Sequence, residues 1–527
     1  MSLVCLWLFT LFTTLFTMVK WFSFSSTLLT ALVVGTRTCK AQELDVLPCP
    51  DEFWQQMQSS LQLKYDWSDN LAPTDLAWWV GVNDPVYGEM YWTFGNATHD
   101  DGNTPGTLAS LQDHFEIGSI SKSFGATVNL LLMESGEYPG FTLDATVQDL
   151  VPDFASAYPE YAGYTTRQLM AMQTEVPDFL NSEDGLVSEI IRDPTQRWTI
   201  SEIVDFALEG DLAQPGDYCV DTLNVAEIGP QCAAYSTTNI LVMEYIAESL
   251  TGQTMQELVR EWILEPLDMI TPGDVDLPLR NSSGVRPAPE PIPYASPSCF
   301  QEYNSSGGNI DIGDSVLDYA RSVVNFGSGG SMYGTIVDLL KWASTGLGDD
   351  LLSTETTSAR HLYVPMDAFR SYGIGQYKFV DGVASFLDGW YGHDGDSLGF
   401  GSLALRNDER NASFAAAASS CATFTDNLQG LDVYVTQLLA RPANAVLPPT
   451  ESCAAGVPSA APVMGPATPV PSSPTTEAPS TLSTQNPSMT EPPSSATVSH
   501  SYDGATFAAL SSFVLVVLAE FSVAIMS

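Results

Sequence analysis

A serine and a lysine spaced for covalent catalysis lie between Phe115 and Phe124, where Ser119 precedes Lys122 by three residues. On a helix these two side chains lie on one face, one turn apart. Serine is a poor nucleophile until a base accepts its proton, and lysine can be that base only if burial or neighbouring charge lowers its pKa. Of the four lysines beyond residue 41, only Lys122 has this partner, although a capped helix with a surface lysine is the alternative interpretation.

The elements that must position this pair follow from hydrophobic periodicity. Apolar residues recur at helical spacing from Ser119 to Gly136, and two aromatic and β-branched runs flank the turn at Asp84. This arrangement predicts an α+β fold, with an antiparallel sheet built from both chain ends, helices on its faces and a mostly helical region. Residues 271–330, rich in Pro, Gly and Ser, are predicted to form a long surface loop. The predicted strands are Ala77–Asn83, Glu89–Phe94, Tyr372–Val380, Val383–Trp390 and Gly401–Leu405, and the further predicted helices are Thr238–Leu250, one that opens with the capping box Thr254–Glu257, and Asn427–Leu439.

Three segments in order resemble the motifs of one superfamily. Phe115–Lys122 is similar to the nucleophile segment of the serine β-lactamase and DD-peptidase superfamily, and Tyr235-Ser-Thr237 stands where that family has Tyr-x-Asn. His393-Asp-Gly395 resembles its third motif, Lys-Thr-Gly or His-x-Gly, on the strand that edges the site. The resemblance covers roughly residues 70–440 and is strongest to the branch with class C β-lactamases, D-alanyl-D-alanine carboxypeptidases, D-aminopeptidases and esterases. It implies a β-lactamase/transpeptidase-like fold and serine hydrolase activity without a cofactor or metal.

The resemblance also implies roles for individual residues. Ser119 is expected to attack a carbonyl and form an acyl-enzyme, while Lys122 accepts its proton and Tyr235 relays that proton to the leaving group. Because a cation favours tyrosinate, Lys122 is expected to lower the Tyr235 pKa. His393 is expected to orient the site or to hold the tyrosine proton network, with a hydrogen-bonded strand histidine as the alternative. The residues expected to bind substrate or form the oxyanion hole are Ser119 and Asp396, through their backbone N–H groups, together with Thr237 and Gly395.

Departures from the family pattern bear on the substrate. Thr237 replaces the family's Asn, and Gln173-Thr-Glu175 stands where many relatives have His-Thr-Ser. Asp394 and Asp396 flank Gly395, with no Arg or Lys near them in the sequence, so this strand should repel the carboxylate that β-lactams and D-Ala-D-Ala peptides present to it. We therefore expect an esterase or an amidase/peptidase acting on a small, uncharged or amine-bearing, D-amino-acid-type substrate. The alternative is a catalytically blunted relative that serves as a cell-surface binding or structural module.

Composition excludes other classes of function. Lys and Arg number 19 and Asp and Glu 63, which gives a net charge of −44, so nucleic acid is not an expected partner. No Cys-x-x-Cys pair occurs, which argues against a zinc or redox motif. The expected partners are a small-molecule ester, amide or peptide substrate and, through the C-terminal tail, a membrane.

The two ends of the chain predict its location. Residues 1–41 contain no acidic residue and have an apolar run after Lys20, as in a signal region, with a retained membrane anchor as the alternative. The serine hydrolase domain is expected over 42–440 and a Pro/Ser/Thr-rich stalk over 441–504. Residues 505–527 form an apolar segment, which together with Ser494–Ala496 and a polar spacer suits a GPI-type anchor or, alternatively, a single membrane span. These features predict the secretory pathway and either attachment to the cell surface or an extracellular location.

The N-glycosylation sequons and the cysteines are consistent with passage through the secretory pathway. Asn-x-Ser/Thr triplets occur at Asn96, Asn281, Asn304 and Asn411, which predicts a glycoprotein. Six cysteines lie beyond residue 41, and up to three disulfides are possible. Cys219 and Cys232 flank a short excursion that contains Pro and Gly just before Tyr235, so we predict that these two pair.

Overall fold

The computed structural model describes residues 49–71, 77–97, 107–180, 196–210, 212–213, 219, 231–269, 323–382, 386–397 and 400–419. Contacts divide the chain into two units. The first comprises Met1–Cys49 and Pro442–Val457, of which only Cys49 is described; this cysteine is disulfide-bonded. The second comprises Pro50–Arg441 and Pro458–Ser527 and contains all the other described residues.

An eight-stranded antiparallel sheet forms the frame of the second unit. Its strand order is β2-β1-β10-β9-β8-β7-β6-β5, and β3 and β4 form a separate two-stranded sheet. The strands are β1 (Trp78–Asp84), β2 (Gly88–Phe94), β3 (Phe115–Glu116), β4 (Tyr333–Gly334), β5 (Val364–Pro365), β6 (Arg370–Tyr372), β7 (Tyr377–Phe379), β8 (Trp390–Ser397), β9 (Phe400–Asn407) and β10 (Ala412–Ala418). The predicted N-terminal hairpin is confirmed, and β1 pairs with β10 from the opposite end of the domain, as the predicted α+β layout requires.

Helices cover the sheet and build the rest of the unit. They are α1 (Pro50–Leu71), α2 (Ser121–Ser135), α3 (Val147–Leu150), α4 (Pro152–Ala157), α5 (Thr166–Met170), α6 (Ile200–Leu208), α7 (Thr237–Thr251), α8 (Met255–Val259), α9 (Ile336–Ser344) and α10 (Thr354–Arg360). A π-helical turn, Arg260–Leu264, continues α8, and 3₁₀ turns cover Gly118–Ile120, Val323–Gly329 and Asp349–Leu351. The capping box at Thr254 and Glu257 is confirmed at the start of α8.

The helix that carries the lysine lies in the middle of the core. Residues from Ser121 to Leu132 of α2 are buried, and the helix ends at Gly136, which adopts a left-handed φ of 68°. The side chains of α9 pack on the sheet, where a Cβ on Gly81 of β1 would lie 3.2 Å from Leu340. Strand β10 is buried along its whole length, because its run of alanines lets layers approach on both faces. Phe124 of α2 stacks on Trp342 of α9, with ring centroids 3.9 Å apart, so α2 packs on the helix that covers the sheet.

Several local predictions were wrong. Tyr372–Val380 is not one strand, because Gly375, with a φ of 69°, lies in a turn between β6 and β7. The described part of Val383–Trp390 forms a turn, and β8 begins only at Trp390. Residues 326–330, assigned to a surface loop, are buried against α2 and α7. The predicted helix Asn427–Leu439 lies outside the described residues.

The predicted disulfide and N-glycosylation sites lie partly inside and partly outside the described residues. Cys219 and Cys232 are joined by a disulfide bond, with their Cα atoms 6.3 Å apart. Asn96 is partly buried and Asn411 is exposed, whereas Asn281 and Asn304 lie outside the described residues, as do the signal region, the stalk and the apolar tail. Within the described ranges, no helix is both long and apolar enough to cross a bilayer.

Candidate active site

The proposed nucleophile lies on a tight turn between a strand and a helix. Strand β3 pairs with β4, and Ile117 N–H donates to Met332 O at 3.0 Å, which fixes the approach to the turn. Ser119 occupies the 3₁₀ turn Gly118–Ile120, and α2 begins at Ser121 rather than at Ser119 as the periodicity predicts. Ser119 is partly exposed, while both of its neighbours are buried, so its hydroxyl remains accessible to a ligand.

Lys122 is fully buried and directed at the serine. Its side chain has 0% exposure, and Nζ lies 2.8 Å from Ser119 Oγ and donates to Gly329 O at 2.6 Å. Burial lowers the pKa of Lys122 to about 7, although the carboxylates of Asp178 and Asp394 act in the opposite direction. A neutral amine therefore exists near physiological pH and can accept the serine proton.

Tyr235 completes the group around the nucleophile. Lys122 Nζ lies 4.8 Å from the centroid of the Tyr235 ring, and the Tyr235 hydroxyl is hydrogen-bonded to Ser119. The expectation that Lys122 lowers the Tyr235 pKa is wrong. Burial, the neighbouring Tyr372 and the nearby carboxylates of Asp394 and Asp178 together raise that pKa well above its ordinary value. Tyr235 therefore remains a protonated hydroxyl, which can donate a proton, and Lys122 is the group of the pair that can act as a base.

His393 lies behind the tyrosine, on β8. Its Nε2 is 2.9 Å from the buried Tyr372 hydroxyl, and its ring lies 6.1 Å from that of Tyr235. Its Nδ1 faces the carbonyl oxygen of Asp394, an arrangement in which Nδ1–H donates and Nε2 accepts from Tyr372. Burial lowers the pKa of His393 to about 4, so the ring is neutral at physiological pH. Tyr372 was not identified from the sequence, because no motif marks it and it lies 21 residues before His393.

The predicted oxyanion groups lie at a close contact between β8 and the nucleophile turn. A Cβ on Gly118, which has a φ of 49°, would lie 2.8 Å from Asp396 N, and a Cβ on Gly395 would lie 2.0 Å from Ile117 O. The backbone of Asp396 thus lies against Gly118, the residue before Ser119. Strand β7 pairs with β8 only at Gly392 and Tyr391, so among the described strands the rest of β8 has β9 alone as its neighbour and borders the site.

Thr237 is hydrogen-bonded to a buried carboxylate, that of Asp178, which the sequence did not identify as part of the site. Its side chain is buried, and Oγ1 donates to Asp178 Oδ2 at 3.3 Å. Leu180 N–H donates to Asp178 Oδ1 at 3.1 Å, and burial raises the pKa of Asp178 although Lys122 acts to lower it. Where the family motif has an Asn amide, this chain therefore has the Thr237 hydroxyl, which is hydrogen-bonded to the buried carboxylate of Asp178. Asp178 follows the Gln173–Glu175 segment, and that departure from the family pattern was the available signal.

Of the two aspartates beside Gly395, Asp394 has a basic neighbour, which corrects the sequence expectation for that residue. Arg370 Nη1 lies 3.5 Å from Asp394 Oδ2, and Arg370 Nε is 2.9 Å from Asp367 Oδ2. The separation of 24 residues hid this arginine from the sequence pattern. Asp396 is exposed at the rim of the site. Among the described residues no three His, Cys, Asp or Glu side chains are grouped as metal ligands.

Comparisons with known proteins show what the chain is similar to. A family model described as Beta-lactamase matches residues 75–429. Penicillin-binding protein 4 of Amycolatopsis lactamdurans is 26% identical over 171 residues, which are 31% of this chain and 37% of that protein, so the chain spans little more than a third of that relative's length.

Two solved structures have a similar fold. The D-amino acid amidase from Ochrobactrum anthropi SV3 complexed with L-phenylalanine amide is 20% identical, with a TM-score of 0.54 over 73% of this chain and 97% of that one. The D-stereospecific amidohydrolase from Streptomyces sp. is 19% identical, with a TM-score of 0.51 over 67% of this chain and 93% of that one. At these identities the likeness is one of fold.

Proposed function

The chain belongs to the Beta-lactamase family, and from that premise we propose that it is a serine hydrolase that works through an acyl-enzyme on Ser119. The observation that carries the proposal is the 2.8 Å contact between Ser119 Oγ and the Nζ of a fully buried Lys122. A surface lysine on a capped helix, the alternative interpretation, would keep its charge in water. Burial instead makes the neutral amine accessible near pH 7, as a general base requires.

Acylation begins with proton transfer from Ser119 to Lys122 as Oγ forms a bond to the substrate carbonyl carbon. The carbonyl π electrons move to oxygen, which the backbone N–H groups of Ser119 and Asp396 stabilise. The bond to the leaving nitrogen or oxygen then breaks. Tyr235, a protonated hydroxyl hydrogen-bonded to Ser119, donates a proton to that leaving group and regains one from Lys122.

Deacylation uses the same groups, with water in place of Ser119 as the nucleophile. A water molecule attacks the ester carbonyl, passes its proton to the neutral lysine, and Ser119 leaves with a proton returned through the same network. His393 contributes by position: as a neutral ring that accepts from Tyr372, it holds the aromatic group behind Tyr235 without adding a positive charge beside Lys122.

The substrate class follows from charge at the rim. Asp396 lies exposed on the strand beside the nucleophile, Asp394 shares one cation, Arg370, with Asp367, and the buried Asp178 acts on Lys122. Carboxylates therefore outnumber cations around the site, so a substrate with an amine is favoured over one with a carboxylate. We propose amides or esters of small, D-amino-acid-type acyl groups. The structures of a D-amino acid amidase and a D-stereospecific amidohydrolase, similar in fold, support the amide member of this class.

We further propose that the enzyme acts outside the cell membrane, after passage through the secretory pathway, with attachment to the cell surface through its C-terminal segment. The support is in the sequence: the apolar, acid-free residues 1–41, the four sequons and the Pro/Ser/Thr-rich residues 441–504 before an apolar stretch. The disulfide between Cys219 and Cys232 suits an oxidising compartment.

The test is covalent labelling with a fluorophosphonate probe, run beside a panel of p-nitrophenyl esters, D-amino-acid amides and nitrocefin. Ser119→Ala should abolish labelling and turnover, whereas Ser358→Ala, on the exposed helix α10, should leave both unchanged. Lys122→Met should slow acylation by about 10²–10⁴-fold, the usual contribution of a positioned base. Lys378→Met, which removes a lysine paired with Asp381 at the surface, is its control. Wild-type turnover by Ser119→Ala on every substrate would refute the assignment, and a parent chain that neither labels nor hydrolyses would favour a binding or structural module.

A further inference from the structure

Arg370 reaches across the sheet to the strand that borders the active site. It lies on β6, its guanidinium carbon is 5.5 Å from the centroid of the Tyr377 ring on β7, and Nη1 lies 3.5 Å from Asp394 Oδ2 on β8. Nε is held at the other end by Asp367 at 2.9 Å. The guanidinium therefore lies between two carboxylates. About a third of its side chain, 36%, remains exposed.

Through Asp394, the ion pair with Arg370 lies next to the residues proposed to act in catalysis. It directly follows His393, whose ring lies 6.1 Å from that of Tyr235, and it precedes the Gly395–Asp396 segment that contacts the nucleophile turn. Its charge also acts on Lys122 and Tyr235, which shows that its carboxylate lies within electrostatic range of both. Both side chains of this pair are partly exposed beside β8, Asp394 at 25% and Arg370 at 36%.

We propose that Asp394 is a specificity-determining residue, which occupies Arg370 and so denies a substrate carboxylate the cation that would bind it. The proposal rests on the proposed hydrolase function and narrows its substrate class. It predicts that the enzyme acts on amides and esters without a carboxylate next to the scissile bond.

The physical basis is competition for one guanidinium. Arginine binds carboxylates through paired, charge-assisted hydrogen bonds, so a solvent-accessible arginine beside the nucleophile would normally favour an anionic substrate. An intramolecular carboxylate is present at a high effective concentration and occupies that partner before a dissolved one can. Removing the Asp394 charge leaves Arg370 held by Asp367 through Nε, while Nη1 no longer faces a carboxylate on β8.

Binding is measured first, in the Ser119→Ala background, so that the result does not depend on turnover. Isothermal titration compares N-acetyl-D-alanyl-D-alanine with its C-terminal amide. Asp394→Asn should improve the Kd for the carboxylate peptide about tenfold relative to the amide, which corresponds to about 1.4 kcal/mol. Asp396→Asn, which removes the same charge two residues further along β8, should change this ratio much less. Arg370→Gln combined with Asp394→Asn should abolish the gain.

The same ratio is then measured as kcat/KM with Ser119 intact. Asp394→Ala serves as a second variant, and thermal unfolding verifies that each protein is folded. The proposal is overturned if neither Asp394 variant gains selectively for the carboxylate peptide, if Asp396→Asn gains equally, or if the gain survives Arg370→Gln. Absence of detectable peptide binding in every variant also overturns it. Failure of the hydrolase function itself appears separately, as a parent chain that the fluorophosphonate probe does not label.

Discussion

Lys122 determines how the site should respond to pH. Burial lowers its pKa to about 7, and only the neutral amine can accept the Ser119 proton. We therefore predict that kcat/KM for an uncharged ester rises with pH through about 7 and then levels. His393, with its pKa lowered to about 4, stays neutral over this range and contributes no step there, and Tyr235, with a raised pKa, stays protonated.

The neighbour that adjusts this pKa can be tested separately. Asp178 stabilises the charged form of Lys122, so Asp178→Asn should move the acid limb of the kcat/KM profile to lower pH. Asp381→Asn, at the exposed pair with Lys378, should leave the limb in place. An unchanged limb in Asp178→Asn, in a protein that remains folded, would show that this carboxylate does not influence the base.

At the residue scale, sequence reasoning found the groups that belong to motifs and missed those that do not. Ser119 and Lys122 are three residues apart, so a local pattern contains both. Tyr372, Asp178 and Arg370 reach the same site from separate segments, and only the tertiary structure brings them to it. The direction of the Tyr235 pKa was wrong for a related reason: burial is a property of the whole fold and outweighs a charge inferred from the motif.

At the scale of elements, the site depends on how closely β8 approaches the turn before α2. A Cβ on Gly395 would lie 2.0 Å from Ile117 O and 2.5 Å from Ser402 Oγ. We predict that Gly395→Ala pushes β8 away from this turn and moves the Asp396 amide away from Gly118, the residue before Ser119. Loss of one oxyanion donor typically costs about 10²–10³-fold in rate, so acylation should fall by about that factor. Stopped-flow acylation with an activated ester measures it.

A matched glycine separates this effect from a general loss of stability. Gly163 has no neighbouring atom within 4 Å of an added Cβ, so Gly163→Ala should leave acylation and thermal unfolding close to those of the parent. Gly395→Ala is expected to destabilise the fold by about 1–3 kcal/mol, as overpacking commonly does. Normal acylation by Gly395→Ala would contradict the proposed position of the oxyanion hole.

Helices and strands were predicted correctly where short-range sequence signals are strong. They were predicted wrongly or missed where tertiary packing determines the structure. The hairpin β1–β2, the end of α2 at Gly136 and the capping box at Thr254 all follow from short-range patterns. Strand β10 was not predicted, because a run of alanines has weak strand propensity and forms a strand here by lying between β1 and β9. The two glycines at 373 and 375 were overlooked as a break between β6 and β7.

At the scale of the whole domain, the sheet joins parts of the chain that are far apart in sequence. Ala77 N–H donates to the Ser419 hydroxyl across a separation of 342 residues, and β1 pairs with β10 along its length. An α+β layout with a sheet from both ends could be predicted from the order of elements. The register could not, because no local pattern specifies which of several short strands meet after so long an excursion.

The apolar stretch 505–527 carries a prediction about where the whole protein is located. Ser494–Ala496 offers small residues, Thr497–Gly504 a polar spacer, and the stretch itself contains no Lys or Arg, an order typical of a signal exchanged for a glycosylphosphatidylinositol anchor. Glu520 within it departs from this pattern, because a carboxylate costs a few kcal/mol at the centre of a bilayer. Phosphatidylinositol-specific phospholipase C should therefore release the protein, with its hydrolase activity, from intact cells. As a control, a chain that ends at Gly504 should appear in the medium without treatment. Retention on membranes after the enzyme, with peptides from 505–527 still detected by mass spectrometry, would instead identify a membrane-spanning segment.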